Sequence, residues 1–376
     1  MAKGEIYPTE SLNFRDSETG VKIRQVTTDF SNHHHPFFIV PAYDDLMKRL
    51  FFISERSGKP QIFAEIRQNG ELLQLTDRDD LSPWSIYPSH DGESVFFTAG
   101  TSGWRIDLET LEEIELVNMP VDHLREQGTV AAAMGTTALS HDDRWWAIRY
   151  NTNSEMVDSL QSAIAMVDTQ TGQMETILQR DSISHMQFCP DDPSLLYYAG
   201  PLTDRIWVIN RDGSNNRRLY ARDKALNEWI THESWIPRTR ELAFVDWPNG
   251  IRCINVDNGT ERRVTTFNAW HAVCSPDGTL MVADTNYPDI GIQLFDPRDG
   301  VGQPTIICQS GATSVGDHWQ GPFPYTNGSI NVYAPQHTHP HPSFSPDGKL
   351  IVFTSDRSGW SQVYEVILPA DILPVH

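Results

Sequence analysis

Short apolar runs alternate with polar, turn-forming residues along nearly the whole chain, and the alternation has a long repeat. The segment "SFSPDGKLIVFTSDRSG" (343–359) shows the unit: a strand, a Pro-Asp-Gly turn, an apolar strand and a second turn. Echoes occur in "VCSPDGTLMVADT" (273–285), "QFCPDDPSLLYYAG" (187–200), "ALSHDDRWWAIRY" (138–150), "YPSHDGESVFFTAG" (87–100) and "VPAYDDLMKRLFFISERSG" (40–58). A degenerate copy, "SWIPRTRELAFVDW" (234–247), carries Ile-Pro-Arg-Thr in place of the turn. The turn positions Asp44, Asp91, Asp142, Asp191, Arg238, Asp277 and Asp347 are separated by 47, 51, 49, 47, 39 and 70 residues. A period in the forties, with short strands and Asp-Gly turns, predicts a β-propeller.

Each unit continues into a third strand, as in "GWSQVYEVIL" (359–368), and often a fourth ending in Thr-Asp, as in "GELLQLTD" (70–77). The last unit stops after its third strand, while an unassigned strand, "GVKIRQVTTD" (20–29), precedes the first. The pattern therefore predicts an all-β, seven-bladed propeller over 1–376, one domain, with the N-terminal strand completing the last blade. Such closure removes exposed sheet edges. The long last step holds a loop from Gly311 to Pro335, and loops of that length tend to carry function.

Composition narrows the function classes. A net charge of −21 excludes the basic surface that nucleic acids and anionic membranes require. An acidic ligand would need a local island of positive charge. The N-terminus has no apolar signal region, and no window reaches the ~18 apolar residues of a membrane span. Four scattered cysteines without a Cys-x-x-Cys suit buried thiols in a reducing compartment, so a cytoplasmic protein is expected.

Counting back six residues from the turn gives His185, His232, His271 and His341 in four consecutive units. The strand before this turn is the innermost of a blade, so four imidazoles should converge at one mouth of the channel. The second and third units have Ser85 and Thr136 at that offset. Strand alternation should turn His339 to the same face as His341. His337 shares that parity, and Gln336 sits where the long loop joins the strand. A single histidine at a strand start is usually a solvated or capping residue. Four in register suggest a metal site, since neutral imidazole is a common ligand of divalent transition ions. Three histidines and an amide oxygen would leave positions open for substrate.

The segments "QHTHPHPSFSPDG", "CPDDPSLLYYAG" with "DRIWVINRDGS", "WITHES" and "WHAVCSPDGTLMVAD" resemble the oligogalacturonate lyase family, cytoplasmic seven-bladed propeller enzymes of pectin breakdown. The likeness covers nearly the whole chain. It implies a divalent cation, manganese, held by His271, Gln336, His339 and His341. It further implies His232 as the catalytic base and Arg205 as an assisting cation. His185 is expected to bind substrate, together with Arg205. The chain departs from the family in having "YAGP" (198–201) where His-Glu-Gly-Pro is usual. It also has "VGDHWQG" (315–321) and an enlarged following loop. The implied reaction is β-elimination on a short uronate oligosaccharide. The alternatives are a non-catalytic propeller used for binding or scaffolding, and a lyase, hydrolase or epimerase acting on another acidic sugar. Arg205 has its own plainer alternative, a surface ion pair with Asp204.

Overall fold

The computed structural model describes residues 2–120, 135–152, 161–223, 228–285, 288–298, 303–313 and 338–370. Every regular element among them is a strand, and thirty strands, β1–β30 in chain order, form seven antiparallel sheets. Five sheets follow the chain directly, for example β16 (Ser184–Cys189), β17 (Asp192–Ala199), β18 (Ile206–Asn210) and β19 (Arg217–Arg218). The apolar positions face between sheets: Phe51, Ile53 and Ile62 of the first blade pack with Val95 and Phe97 of the second. Tyr197 and Leu195 of the fourth pack with Phe244 and Leu242 of the fifth. The hydrophobic core is thus a ring of inter-blade seams, as a seven-bladed propeller requires.

Closure occurs as the orphan strand predicts. β3 (Lys22–Gln25) pairs with β30 (Gln362–Ile367), placing Ile23 opposite Val366 and Gln25 opposite Tyr364. β2 (Leu12–Arg15) adds outside β3, so the last blade has five strands. β1 (Ile6–Tyr7) goes instead to the outer edge of the first blade. Arg24 locks the seam from β3. It bridges Glu65 in the first blade, at 2.5 Å, and Glu365 in the last, at 2.6 Å, with both carboxylates almost fully buried. Tyr43 donates to Glu365 at 2.7 Å.

The repeated turn has a local cause. In Ser-x-Asp turns the serine hydroxyl donates to the aspartate two residues on, at 2.6 Å for Ser89–Asp91, Ser275–Asp277 and Ser345–Asp347. The same oxygen accepts the backbone N–H at the start of the next strand, as from Leu350 to Ser345 at 2.9 Å. Gly92, Gly278 and Gly348 follow with φ near +70°, a region open to glycine at little cost.

Inner strands differ between blades. β4 (His33–His34), β8 (Tyr87–Pro88), β12 (Ala138–Leu139) and β28 (Ser343–Phe344) are only two residues long. β16, β20 (Trp229–Ile236) and β24 (Ala269–Cys274) are longer, and each is interrupted by a register shift at its histidine. β28 begins after His341, so His339 and His341 precede the strand and alternation is not what orients them. The loop expected over 311–335 falls largely outside the described residues, as do Gln336 and His337.

Candidate active site

Three of the four register histidines occupy unusual backbone. His185 and His232 have φ of 50°, and His341 has φ of 32°. Positive φ is uncommon for a residue with a side chain and costs of order 1 kcal/mol or more. The shifts lie between Ser184 and Gln187, between Thr231 and Ser234, and between Ala269 and Ala272. Such bulges re-aim a side chain out of its strand's alternation. Here they turn three imidazoles in neighbouring blades toward one another.

The imidazoles do meet. The His232 ring lies 4.2 Å from that of His271 and 5.6 Å from that of His185. The His271 ring is 5.4 Å from that of His339 and 6.0 Å from that of His341. The structure therefore brings together five of the seven expected site residues as one histidine cluster. Arg205, just before β18, joins it through His185 at 2.9 Å. Gln336 lies outside the described residues.

Buried carboxylates orient these groups. Asp284, in β25 (Met281–Thr285), takes the His271 backbone N–H on Oδ1 at 2.7 Å. Its Oδ2 lies 2.9 Å from His271 Nδ1 and accepts the His341 backbone N–H at 2.9 Å. One carboxylate thus fixes two candidate ligands, and a proton on Nδ1 leaves the Nε2 lone pair of His271 as the ligating one. Glu233 plays the matching part for Arg205. It accepts from Nε at 2.7 Å and from Nη2 at 3.3 Å, and sits 3.6 Å from His185 Nδ1. Asp204 pairs with Arg180 and Arg218 instead, which removes the surface-pair reading of Arg205.

Burial sets the protonation states. Desolvation, reinforced by the His271 side chain, holds His232 well below the usual imidazole range. Desolvation and neighbouring His35 do the same for His341. Burial also lowers His185, against the pull of Glu233. Burial alone would raise Glu233, but the Arg205 guanidinium outweighs it and brings the carboxyl down to about 2. His185, His232 and His341 are therefore held neutral beside one fixed guanidinium–carboxylate pair.

Several residues here carry no signal of their own in the sequence. Phe37 fills the middle of the ring, with its centroid 5.5, 6.2, 5.4 and 5.8 Å from His185, His232, His271 and His341. Phe38 packs beside it and stands six residues before Asp44, the first unit's counterpart of the register histidines. His35 stacks on His341 at 4.0 Å, and His34 stacks on Trp84 at 4.1 Å. The count from Asp44 would have located Phe38, and "NHHHPFF" could have drawn notice. Asp284 and Glu233 announce themselves only as lone acids inside apolar strands.

An all-β ring of seven blades, with a histidine cluster beside a buried arginine–glutamate pair, defines a β-propeller with a chemically equipped site on its inner strands. The profile of the oligogalacturonate lyase family matches residues 1–372, and the chain belongs to that family, a class of polysaccharide lyases. It is 27% identical to the oligogalacturonate lyase of Dickeya dadantii, with 99% of this chain and all of the relative aligned. The oligogalacturonide lyase of Pectobacterium atrosepticum is 25% identical over the same shares. Among solved structures, an oligogalacturonate lyase in complex with manganese superposes with a TM-score of 0.82 at 24% identity, covering 99% of both chains. The oligogalacturonate lyase from Vibrio parahaemolyticus superposes with a TM-score of 0.79 at 23% identity, covering 99% of this chain and 100% of that one.

Proposed function

We propose that this chain acts as one propeller domain that cleaves short uronate oligosaccharides, galacturonides first among them, by metal-assisted β-elimination. The observation that carries this reading is the meeting of His232 with His271 and His185, beside Arg205, at one end of the channel. The donor set fits a divalent cation: imidazole nitrogens, with the buried His341 held neutral by desolvation and His271 oriented through Nδ1 by Asp284. His271, His339 and His341 would hold it, with Gln336 as the expected fourth ligand. Manganese is the ion of choice, as in the related lyase solved with that metal. When bound, the cation supplies charge neutralisation at the uronate carboxylate, which makes the adjacent C5 proton more acidic.

The chain's own residues supply the rest. His232 is neutral because it is buried, so its lone pair can take the C5 proton. The C5–H electron pair becomes the C4–C5 double bond, and the C4–O bond breaks with its electrons on the departing sugar oxygen. Arg205 stays charged because Glu233 holds it. With Nε and Nη2 engaged, Nη1 is the nitrogen left to meet a substrate carboxylate. His185, on the same side, completes the wall of the substrate pocket. With Arg205 neutralised by Glu233, the bound dication would supply the net local positive charge that an acidic ligand needs against the chain's −21. Four buried cysteine thiols support a cytoplasmic setting.

The test is an assay of trigalacturonate with manganese, following the ultraviolet absorbance of the conjugated uronate that elimination creates. His232→Ala should lower turnover by on the order of 10²–10⁴-fold while keeping bound manganese unchanged. Manganese lost with that variant would make His232 a ligand rather than the base. Hydrolysis or epimerisation would leave no such absorbance, and its absence with every divalent metal would remove the lyase reading.

A further inference from the structure

The inner strands carry a second polar cluster at their other ends. Asp45, His90 and His141 come from three successive blades, at the turns that end β4's loop, β8 and β12. One ligand-type atom from each lies within 4.8 Å of the other two. His90 Nδ1 is 3.2 Å from Asp45 Oδ2, and the rings of His90 and His141 are 4.6 Å apart. In the second blade, His90 follows Ser85, the residue at the register of the catalytic histidines, by five positions. At about 3.3 Å per extended residue, the cluster lies at most about 17 Å from that level, toward the opposite mouth.

The same three residues help line a chamber of about 460 Å³, walled further by groups such as Ile39, Leu139, Phe188 and Val273. Phe38 closes this chamber on the side of the histidine ring, where its centroid is 5.2 Å from His271.

We propose that Asp45, His90 and His141 form a second cation site, for a divalent transition ion such as zinc, distinct from the candidate catalytic centre. Two imidazoles with one carboxylate favour such an ion over calcium or magnesium, which prefer oxygen ligands. The surroundings favour a cation over an anion. Asp143 receives the backbone N–H groups of His90 and Asp91 at 2.9 Å, and Asp91 lies next in sequence. Tetrahedral zinc sets neighbouring ligand atoms about 3.4 Å apart, a contraction that the exposed His141 and Asp45 can make by side-chain rotation. The ion takes the place of the proton that His90 shares with Asp45, and it ties three blades together at a mouth that otherwise opens on solvent.

Equilibrium dialysis of the full chain against micromolar zinc, with metal counted per chain, tests this. The wild type should bind one equivalent more than the His90→Ala/His141→Ala double variant, and Asp45→Asn should weaken that same equivalent. Crystals grown in such zinc should show anomalous density between these three side chains. The double variant should keep its far-ultraviolet spectrum and its manganese-dependent turnover, because the two sites lie at opposite ends. His339→Ala reports on the catalytic centre alone, so a failure there leaves this result intact, and the reverse also holds. An unchanged zinc count in the double variant, or a site that fills only at millimolar zinc, overturns the proposal.

Discussion

At the scale of single residues, the site is held by buried charge that is fully partnered. Glu233 is completely buried, yet its carboxyl is pulled from an ordinary 4.5 to about 2 because Arg205 faces it across 2.7 Å. A carboxyl depressed by folding contributes stability above its unfolded value and loses it as pH falls through the folded one. The window here runs from about pH 4.5 down to about 2, and the contribution is on the order of 3 kcal/mol. Glu233→Gln should therefore be less stable than wild type at neutral pH, and the gap should narrow as pH drops through that window. Urea midpoints measured from pH 6 downward check this; parallel curves would show that Glu233 is not ionised against Arg205. The histidine positions were legible in the sequence because a repeat places them at one offset. Their carboxylate partners were not, since a lone acid in "WITHESWI" or "MVADT" does not say what it faces. Phe37 was hidden for the opposite reason: it is ordinary in composition and unusual only in position.

The elements extend the same lesson. Seven units and the closing strand followed from turn spacing and hydrophobic alternation, because those patterns are set locally. The bulges did not, since positive φ at His185 and His232 breaks no composition rule. That is why the alternation argument for His339 and His341 reached the right neighbours for the wrong reason. The closing seam invites a sharper test. Arg24 is the pivot between Glu65 and Glu365, and Arg67 also reaches both, at 2.7 and 2.8 Å. Removing one partner of a buried ionic group leaves charge uncompensated, at a typical cost of 3–5 kcal/mol. Arg67 stays behind to compensate part of it, so Arg24→Ala should fall at the lower end, about 3 kcal/mol. Replacing Arg24, Arg67, Glu65 and Glu365 together with apolar residues of similar size should recover much of the loss, since no buried charge is then left unpaired. Chemical denaturation of both variants decides it; an Arg24→Ala protein as stable as wild type would mean β3 is held by its backbone ladder alone.

For the whole molecule, the question is how a chain of net charge −21 admits an acidic substrate. A compact chain of this length has a radius of gyration of about 21 Å. At about 25 Å in water, each charge pair is worth about 0.2 kcal/mol, so the unscreened field repels a single anionic group by several kcal/mol. A bound dication offsets only two of these charges at long range, Arg205 being already counted in the net charge, though both dominate within a few ångströms. Salt separates the two regimes, because the Debye length falls from about 30 Å at 0.01 M to about 8 Å at 0.15 M. Screening removes the distant repulsion and leaves the contact interactions in the buried site largely intact. The expected outcome is the reverse of ordinary electrostatic steering. The kcat/KM for a trigalacturonate should rise as ionic strength increases from 0.01 to 0.15 M and then level off, with kcat unchanged. A steady fall over that range would mean that the positive island already governs approach from solution, and that the negative charge lies on faces the substrate never passes.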